Sequence, residues 1–154
     1  MPGHLEAIFI APAAKAPLVA VAEVRAVVRR GLEGDRYFHG KGSFSRWPGD
    51  GRPVTLIEAE AIEAILRESG IDLSAGKTRR NLATRDVRLP DLNGRRFRIG
   101  EALFRGTRLC APCAFLERLT EPGVFAALKG RGGLRAEILE TGVINAGDAL
   151  HTEP

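Results

Sequence analysis

The stretch FRIGEALFRG, Phe97 to Gly106, reads as two strands that turn at Gly100–Glu101. A Gly-containing break between two short runs of strand-forming residues is a hairpin signal. Outward from it, further short strands are expected at Leu5–Ala11, Leu18–Val21, Glu23–Val28, Leu82–Val87 and Leu134–Leu139, beside Arg96–Ile99 and Ala102–Arg105 of the hairpin itself. Eighteen glycines and nine prolines are scattered along the 154 residues, which implies many turns. Short strands with frequent turn residues indicate a barrel or sandwich.

Helices are few. In VTLIEAEAIEAILRESG, apolar Ile57, Ala61, Ile62, Ile65 and Leu66 recur at helical spacing, with Glu58, Glu60, Glu63 and Arg67 on the other side. Thr55 and Glu58 have capping-box spacing, and Gly70 stands where a C-terminal cap is wanted. The alternative makes Val54–Ile57 a strand that feeds the helix. Shorter helices are expected over Cys113–Leu119 and around Val124–Leu128. The fold class is therefore mainly β, one domain over residues 1–154, in a mostly antiparallel β-barrel with a few peripheral α-helices.

Composition narrows the function classes. A hydrophobic share of 44% and a charged share of 27% are those of a soluble globular protein. No apolar run approaches the roughly 20 residues that a membrane helix needs. The N-terminus MPGHLEAIFIAPAAKAP has no basic region ahead of its short apolar run, so a secretory leader is not expected. A cytoplasmic, reducing location follows, in which both cysteines are thiols. The net charge is +4, an excess that suits an anionic partner without identifying nucleic acid. Aromatics at 6% are too sparse to stack single-stranded bases, so nucleic acid is an unlikely partner. Arg95, Arg96 and Arg98 read as a solvated strand edge guarded by cations.

Three stretches carry candidate chemistry. In KTRRNLAT, Arg79, Arg80 and Asn81 stand at a strand entry after the Gly76 turn. They could grip a phosphate or carboxylate bidentately, or form surface ion pairs. GLEGDRYFHGKGSFSRWPGDGR, Gly31 to Arg52, is a glycine-rich loop of a length seldom found without a function. It lacks the GK[ST] ending of a nucleotide P-loop. Its His39 is either an acid–base group or simply exposed, and its Asp35–Arg36 either a site or an internal pair. LCAPCAFLE, Leu109 to Glu117, holds both cysteines. A zinc site needs two more ligands, and His4, His39 and His151 are not at ligand spacing. A thioredoxin-like dithiol needs crossover helices that this sequence does not supply. Cys110 suits a buried strand end. Cys113 follows Pro112 at a helix start, where unpaired backbone N–H groups favour the thiolate, the form that attacks electrophiles and binds soft metals.

In order, GLEGDRYFHG, VTLIEAEAIEAI, TRRNLAT, RFRIGEALFRGTRLCAPCAFLE and GGLRAEILETGVINAGDAL resemble a MOSC domain, the module named from the C-terminal part of molybdenum cofactor sulfurases. The resemblance spans Gly31 to Leu150. It implies a pyruvate-kinase-like β-barrel and binding of the molybdenum cofactor, a pterin dithiolene that carries a phosphate. It further implies one cysteine that bears sulfur or ligates molybdenum. By motif position that residue is Cys113, at once the catalytic and the metal-binding residue, with Cys110 as competitor. Arg79 and Asn81 match the family's R-x-N segment that would hold the pterin or its phosphate, with Arg80 beside them. The sulfurase relatives carry a pyridoxal-phosphate desulfurase domain, and the amidoxime-reducing relatives an additional N-terminal barrel region. Neither has a counterpart in this sequence, so the expected protein is a stand-alone module served by a sulfur-donating or electron-donating protein. The expected function is sulfur carriage as a Cys113 persulfide, or molybdenum-dependent reduction of N-hydroxylated compounds. A non-catalytic cofactor-binding shuttle is the alternative, and a CxxC thiol–disulfide oxidoreductase is ranked last.

Overall fold

The computed structural model describes residues 3–13, 16–36, 54–74, 76–110, 123–128 and 130–154. The strands are β1 (His4–Ile10), β2 (Val19–Val21), β3 (Glu23–Val27), β4 (Gly31–Leu32), β5 (Val54–Glu58), β6 (Leu82–Arg85), β7 (Arg96–Ile99), β8 (Ala102–Leu109), β9 (Leu134–Glu140), β10 (Gly142–Asn145) and β11 (Leu150–Glu153). Among the described residues two α-helices join them, α1 (Ala59–Ser69) and α2 (Val124–Ala127), with a 3-10 turn over Leu89–Leu92. An eight-stranded sheet runs in the order β11-β7-β8-β9-β5-β6-β1-β2, and β10-β3-β4 form a three-stranded one. In the large sheet only β5 and β6 are parallel, so it is mixed and mostly antiparallel.

The expected hairpin forms. Phe97 lies opposite Phe104 across β7 and β8, and their rings stack with centroids 5.5 Å apart and planes 11° apart. Both rings are fully buried. Aromatic pairs in such contact add to the roughly 1.5–3 kcal/mol that burying each side chain contributes.

The mainly β class holds, while the barrel part of the expectation is met only by a partial closure. Among the described residues no continuous ladder closes the sheet, whose ends are β2 and β11. An isolated bridge joins His4 of β1, the strand next to β2, to Ala149 just ahead of β11. Hydrogen bonds from Leu5 N to the Asp148 carbonyl (2.8 Å) and from Leu150 N to the Gly3 carbonyl (2.9 Å) flank that bridge. The described fold is a large, mostly antiparallel mixed sheet, in which no closed barrel is found among the described residues.

Arg95, Arg96 and Arg98 do not line a solvated edge. β11 pairs with β7 and makes it an interior strand. Arg98 bonds Glu140 and Glu153, and Arg96 donates to the Pro154 carbonyl. The polar strand LHTE, Leu150–Glu153, was not expected from its residues and is what covers the edge.

VTLIE is strand β5 and the helix begins at Ala59, the alternative boundary. The capping box is not formed: Glu58 is the N-cap without a side-chain cap bond. Gly70 does cap the C-terminus, with φ 74° and its N–H on the Leu66 carbonyl. The expected helix at Val124–Leu128 is α2, and the one at Cys113–Leu119 lies outside the described residues.

Alternation on the strands builds two cores, one on each face of the sheet. Val54 and Leu56 of β5 join Leu5, Phe97, Phe104, Leu134, Ala136 and others on the inner face. Ile57 points the other way and packs with Ile65, Ile71, Leu73, Ala83, Val124 and Leu128 beneath α1 and α2. The candidate site lies on this second, outer face.

Candidate functional site

One row of side chains crosses the outer face. Arg108 of β8 is opposite Arg135 of β9, and Arg135 is opposite Thr55 of β5. Thr55 in turn binds Asn81, just ahead of β6: Asn81 N donates to the Thr55 carbonyl (3.0 Å) and Thr55 N donates to Asn81 Oδ1 (3.3 Å). Cys110 lies two residues beyond Arg108, and its N–H donates to the Gly133 carbonyl at 2.7 Å.

Asn81 is fully buried. Its Nδ2 donates to the Phe9 carbonyl (3.0 Å) and its Oδ1 also meets the Thr55 hydroxyl (3.3 Å). The amide is thus engaged inside the fold, where it ties the strand entry to β5 and β1. Buried polar groups of this kind must be bonded, and Asn81 finds its partners on two strands, β5 and β1.

Arg79 is held in the left-handed region at φ 61°. That conformation crowds a side chain's Cβ and costs about 1–2 kcal/mol. Its Nη1 donates to the Ala16 carbonyl at 2.6 Å, while its own carbonyl accepts from Arg36 Nη2 at 3.3 Å. Asp35 and Arg36 prove to be an internal pair, Nη1 to Oδ1 at 3.0 Å, and Asp35 Oδ1 also accepts from Ala11 N. The start of the glycine-rich loop therefore braces the Arg79 backbone.

Arg80 reaches the other way: its Nε donates to the Gly132 carbonyl at 2.8 Å. Arg80 and Cys110 accordingly anchor on adjacent residues, Gly132 and Gly133. Gly133 sits at φ 106°, and a Cβ there would lie 2.0 Å from the Leu56 carbonyl oxygen. Only glycine lets the chain pass β5 this closely.

A cavity of about 170 Å³ adjoins this turn, lined among others by Glu58, Leu89, Leu109, Cys110, Arg131 and Gly133. Cys110 is 7% exposed and carries a free thiol, as expected for a small apolar residue at a strand end. Cys113 and His39 lie outside the described residues. Cys110 is the last described residue before Cys113, and its N–H meets Gly133, next to the Gly132 that Arg80 binds. Among the described residues no three His, Cys, Asp or Glu side chains gather as a metal site. Among them, too, no helix is long and apolar enough to cross a membrane.

Arg108 and Arg135 were not singled out from the sequence. Their significance comes from cross-strand register, which a linear reading of GTRL and GGLRAEIL does not reveal.

Residues 43–151, well over half of the chain, match the family model of the MOSC domain. The chain belongs to the MOSC domain family. Solved structures share its fold. The YuaD protein from Bacillus subtilis superposes with a TM-score of 0.80 at 17% identity, covering 100% of this chain and 98% of that one. YiiM from Escherichia coli gives 0.74 at 20%, with 100% of this MOSC chain and 70% of the other covered. YiiM from Geobacillus stearothermophilus gives 0.75 at 19%, over 99% and 76%. No curated protein matches the chain. Family membership supports a molybdenum-cofactor-related role at the level of the family.

Proposed function

We propose that this MOSC protein binds the molybdenum cofactor on the outer face of its sheet, with Cys113 as the thiolate that ligates molybdenum or bears transferable sulfur. The observation that carries the reading is the convergence of Arg80 and Cys110 on Gly132–Gly133, with Cys113 only three residues further along the sequence. The residues present suit the group. Guanidinium ions at this face match a phosphate, and a soft thiolate matches molybdenum. Bound there, the cofactor would supply redox chemistry at a soft metal. The chain's own part is to hold the anionic end, to present the Cys113 sulfur, and to fix both through a rigid sheet. Asn81 and Arg79 act as positioning residues, because their side chains already bind Thr55, Phe9 and Ala16.

In this reading a separate protein of a reducing, cytoplasmic compartment donates sulfur or electrons. Protein purified from a cofactor-competent host should contain molybdenum and a fluorescent pterin. Cys113→Ala should lose the metal, whereas Cys110→Ala should keep it. Intact mass after incubation with a sulfur donor separates the chemistries: a carrier gains one sulfur atom on Cys113, and a reductase does not. Loss of metal in Cys110→Ala with retention in Cys113→Ala would reverse the assignment.

A further inference from the structure

We infer that Arg135, with Arg108 opposite it, forms a binding site for a tetrahedral oxyanion of the phosphate class, and that the anion is held there rather than by Arg79 or Asn81. The inference deepens the proposed function and rests on it only for the identity of the anion.

The pattern of ion pairing on the sheet is the starting point. Arg85 is bound by Glu6 and Glu63, Arg98 by Glu140 and Glu153, and Arg105 by Glu137. Even the like-charged neighbours Arg96 and Arg105 are relieved, since Arg105 meets Glu137 and Arg96 donates to the Pro154 carbonyl. Arg108 and Arg135 break the rule. They are directly opposite in register, with no acidic partner for either among the described residues. Nη1 of Arg135 is buried and has no hydrogen-bond partner. The next side chain on that face of β9, Glu137, is already taken by Arg105 at 2.7 Å.

Like charges directly opposite one another repel, and a buried guanidinium nitrogen without an acceptor forfeits its hydration. Both costs vanish when an anion with several oxygens enters between the two arginines. A planar guanidinium fork matches the oxygen spacing of phosphate and binds it bidentately. The neighbouring polar groups are not competitors, because the Asn81 amide and Arg79 Nη1 are spent on Thr55, Phe9 and Ala16. The phosphate can belong to the pterin cofactor or be free in solution.

The test uses the full chain freed of cofactor. Titration with inorganic phosphate, followed by calorimetry and thermal melting, should show binding and a rise in melting temperature. Arg135→Gln and Arg108→Gln should each weaken phosphate binding by roughly tenfold or more. In phosphate-free buffer, Arg135→Met should melt no lower than the parent, because it removes an unpaired charge and keeps the aliphatic stem. Displacement of bound phosphate by the oxidised cofactor pterin that retains its phosphate, but not by its dephosphorylated form, assigns the anion to the cofactor. Phosphate binding without displacement leaves the anion site standing and counts against the proposed function instead. Undiminished phosphate binding in both Gln variants, absence of binding in the parent, or a clear fall in the melting temperature of Arg135→Met would overturn the inference.

Discussion

Asn81 and Thr55 grip each other through backbone and side chain together. Asn81 N reaches both the carbonyl and the hydroxyl of Thr55, at 3.0 and 3.1 Å, and Asn81 Oδ1 accepts from Thr55 N and Oγ1 at 3.3 Å. This clasp sets β5 against the entry to β6 at the row that also contains Arg135. Asn81→Ala strands a buried N–H on Thr55 and a buried carbonyl on Phe9. Each stranded group costs about 1–3 kcal/mol, so a loss of roughly 2–5 kcal/mol is expected in urea unfolding. A loss below about 1 kcal/mol would show that the amide is not a structural tie.

The glycine turn makes a paired test. Gly133→Ala forces a Cβ to within 2.0 Å of the Leu56 carbonyl oxygen at φ 106°. Gly130 has φ 81° but nothing within 4 Å of its would-be Cβ. Gly130→Ala should cost only the conformational penalty of about 1–2 kcal/mol. Gly133→Ala should cost several kcal/mol more, read as a large shift in denaturant midpoint or a loss of soluble protein. Equal effects would refute the close approach.

Strain at Arg79 is separable from its guanidinium. Arg79→Ala and Arg79→Gly both delete the bond to the Ala16 carbonyl, but only glycine relaxes φ 61°. The Gly variant should therefore be the more stable of the two by about 1 kcal/mol, measured as a difference in denaturant midpoint. If the Ala variant is the more stable, the left-handed conformation is not present.

A pH series reports on Glu63. Arg85 holds its carboxyl below the ordinary value of 4.5, chiefly by hydrogen bonding, against a smaller opposing effect of burial. A carboxyl lowered in the folded state adds stability that is present above its unfolded value and is lost as pH falls through the lowered one. The difference in melting temperature between parent and Arg85→Met should be steady near neutral pH and should shrink as pH drops below about 4.5. Because Glu63 is exposed, added salt should also shrink it. A difference that grows on acidification contradicts the ion pair.

Much of the sheet was legible because its strands announce themselves with apolar residues between turn formers, as Arg96–Ile99 and Glu23–Val27 do. β10 and β11 were missed because each is only four residues long, one with a glycine and an asparagine and the other with three polar side chains, and pairing partners supply the rest. That same omission made Arg96 and Arg98 read as an edge. Thr55 was misread as a helix cap because capping-box spacing is a local pattern, and the hydroxyl instead found Asn81 from another strand entry. In the site, Cys110 was placed correctly by its neighbours in sequence. Arg79 and Asn81 were recognised as special, yet their types alone do not tell a ligand-binding group from a tie. The Arg108–Arg135 opposition depends on a register shift between Gly106 and Arg108, which no residue pattern along one strand encodes.

The bridge between His4 and Ala149 bears on how the chain is made. β1 pairs with β2 on one side and β6 on the other, and its first residues also bond the turn at 147–149, far away in sequence. Contacts so distant in sequence slow folding, because loop closure must precede the gain from pairing. Ile8–Ile10 find β2 early, but the edge at Leu5 stays unpaired until the residues around Asp148 are present. That interval is when the nascent chain is most exposed to aggregation and to chaperones.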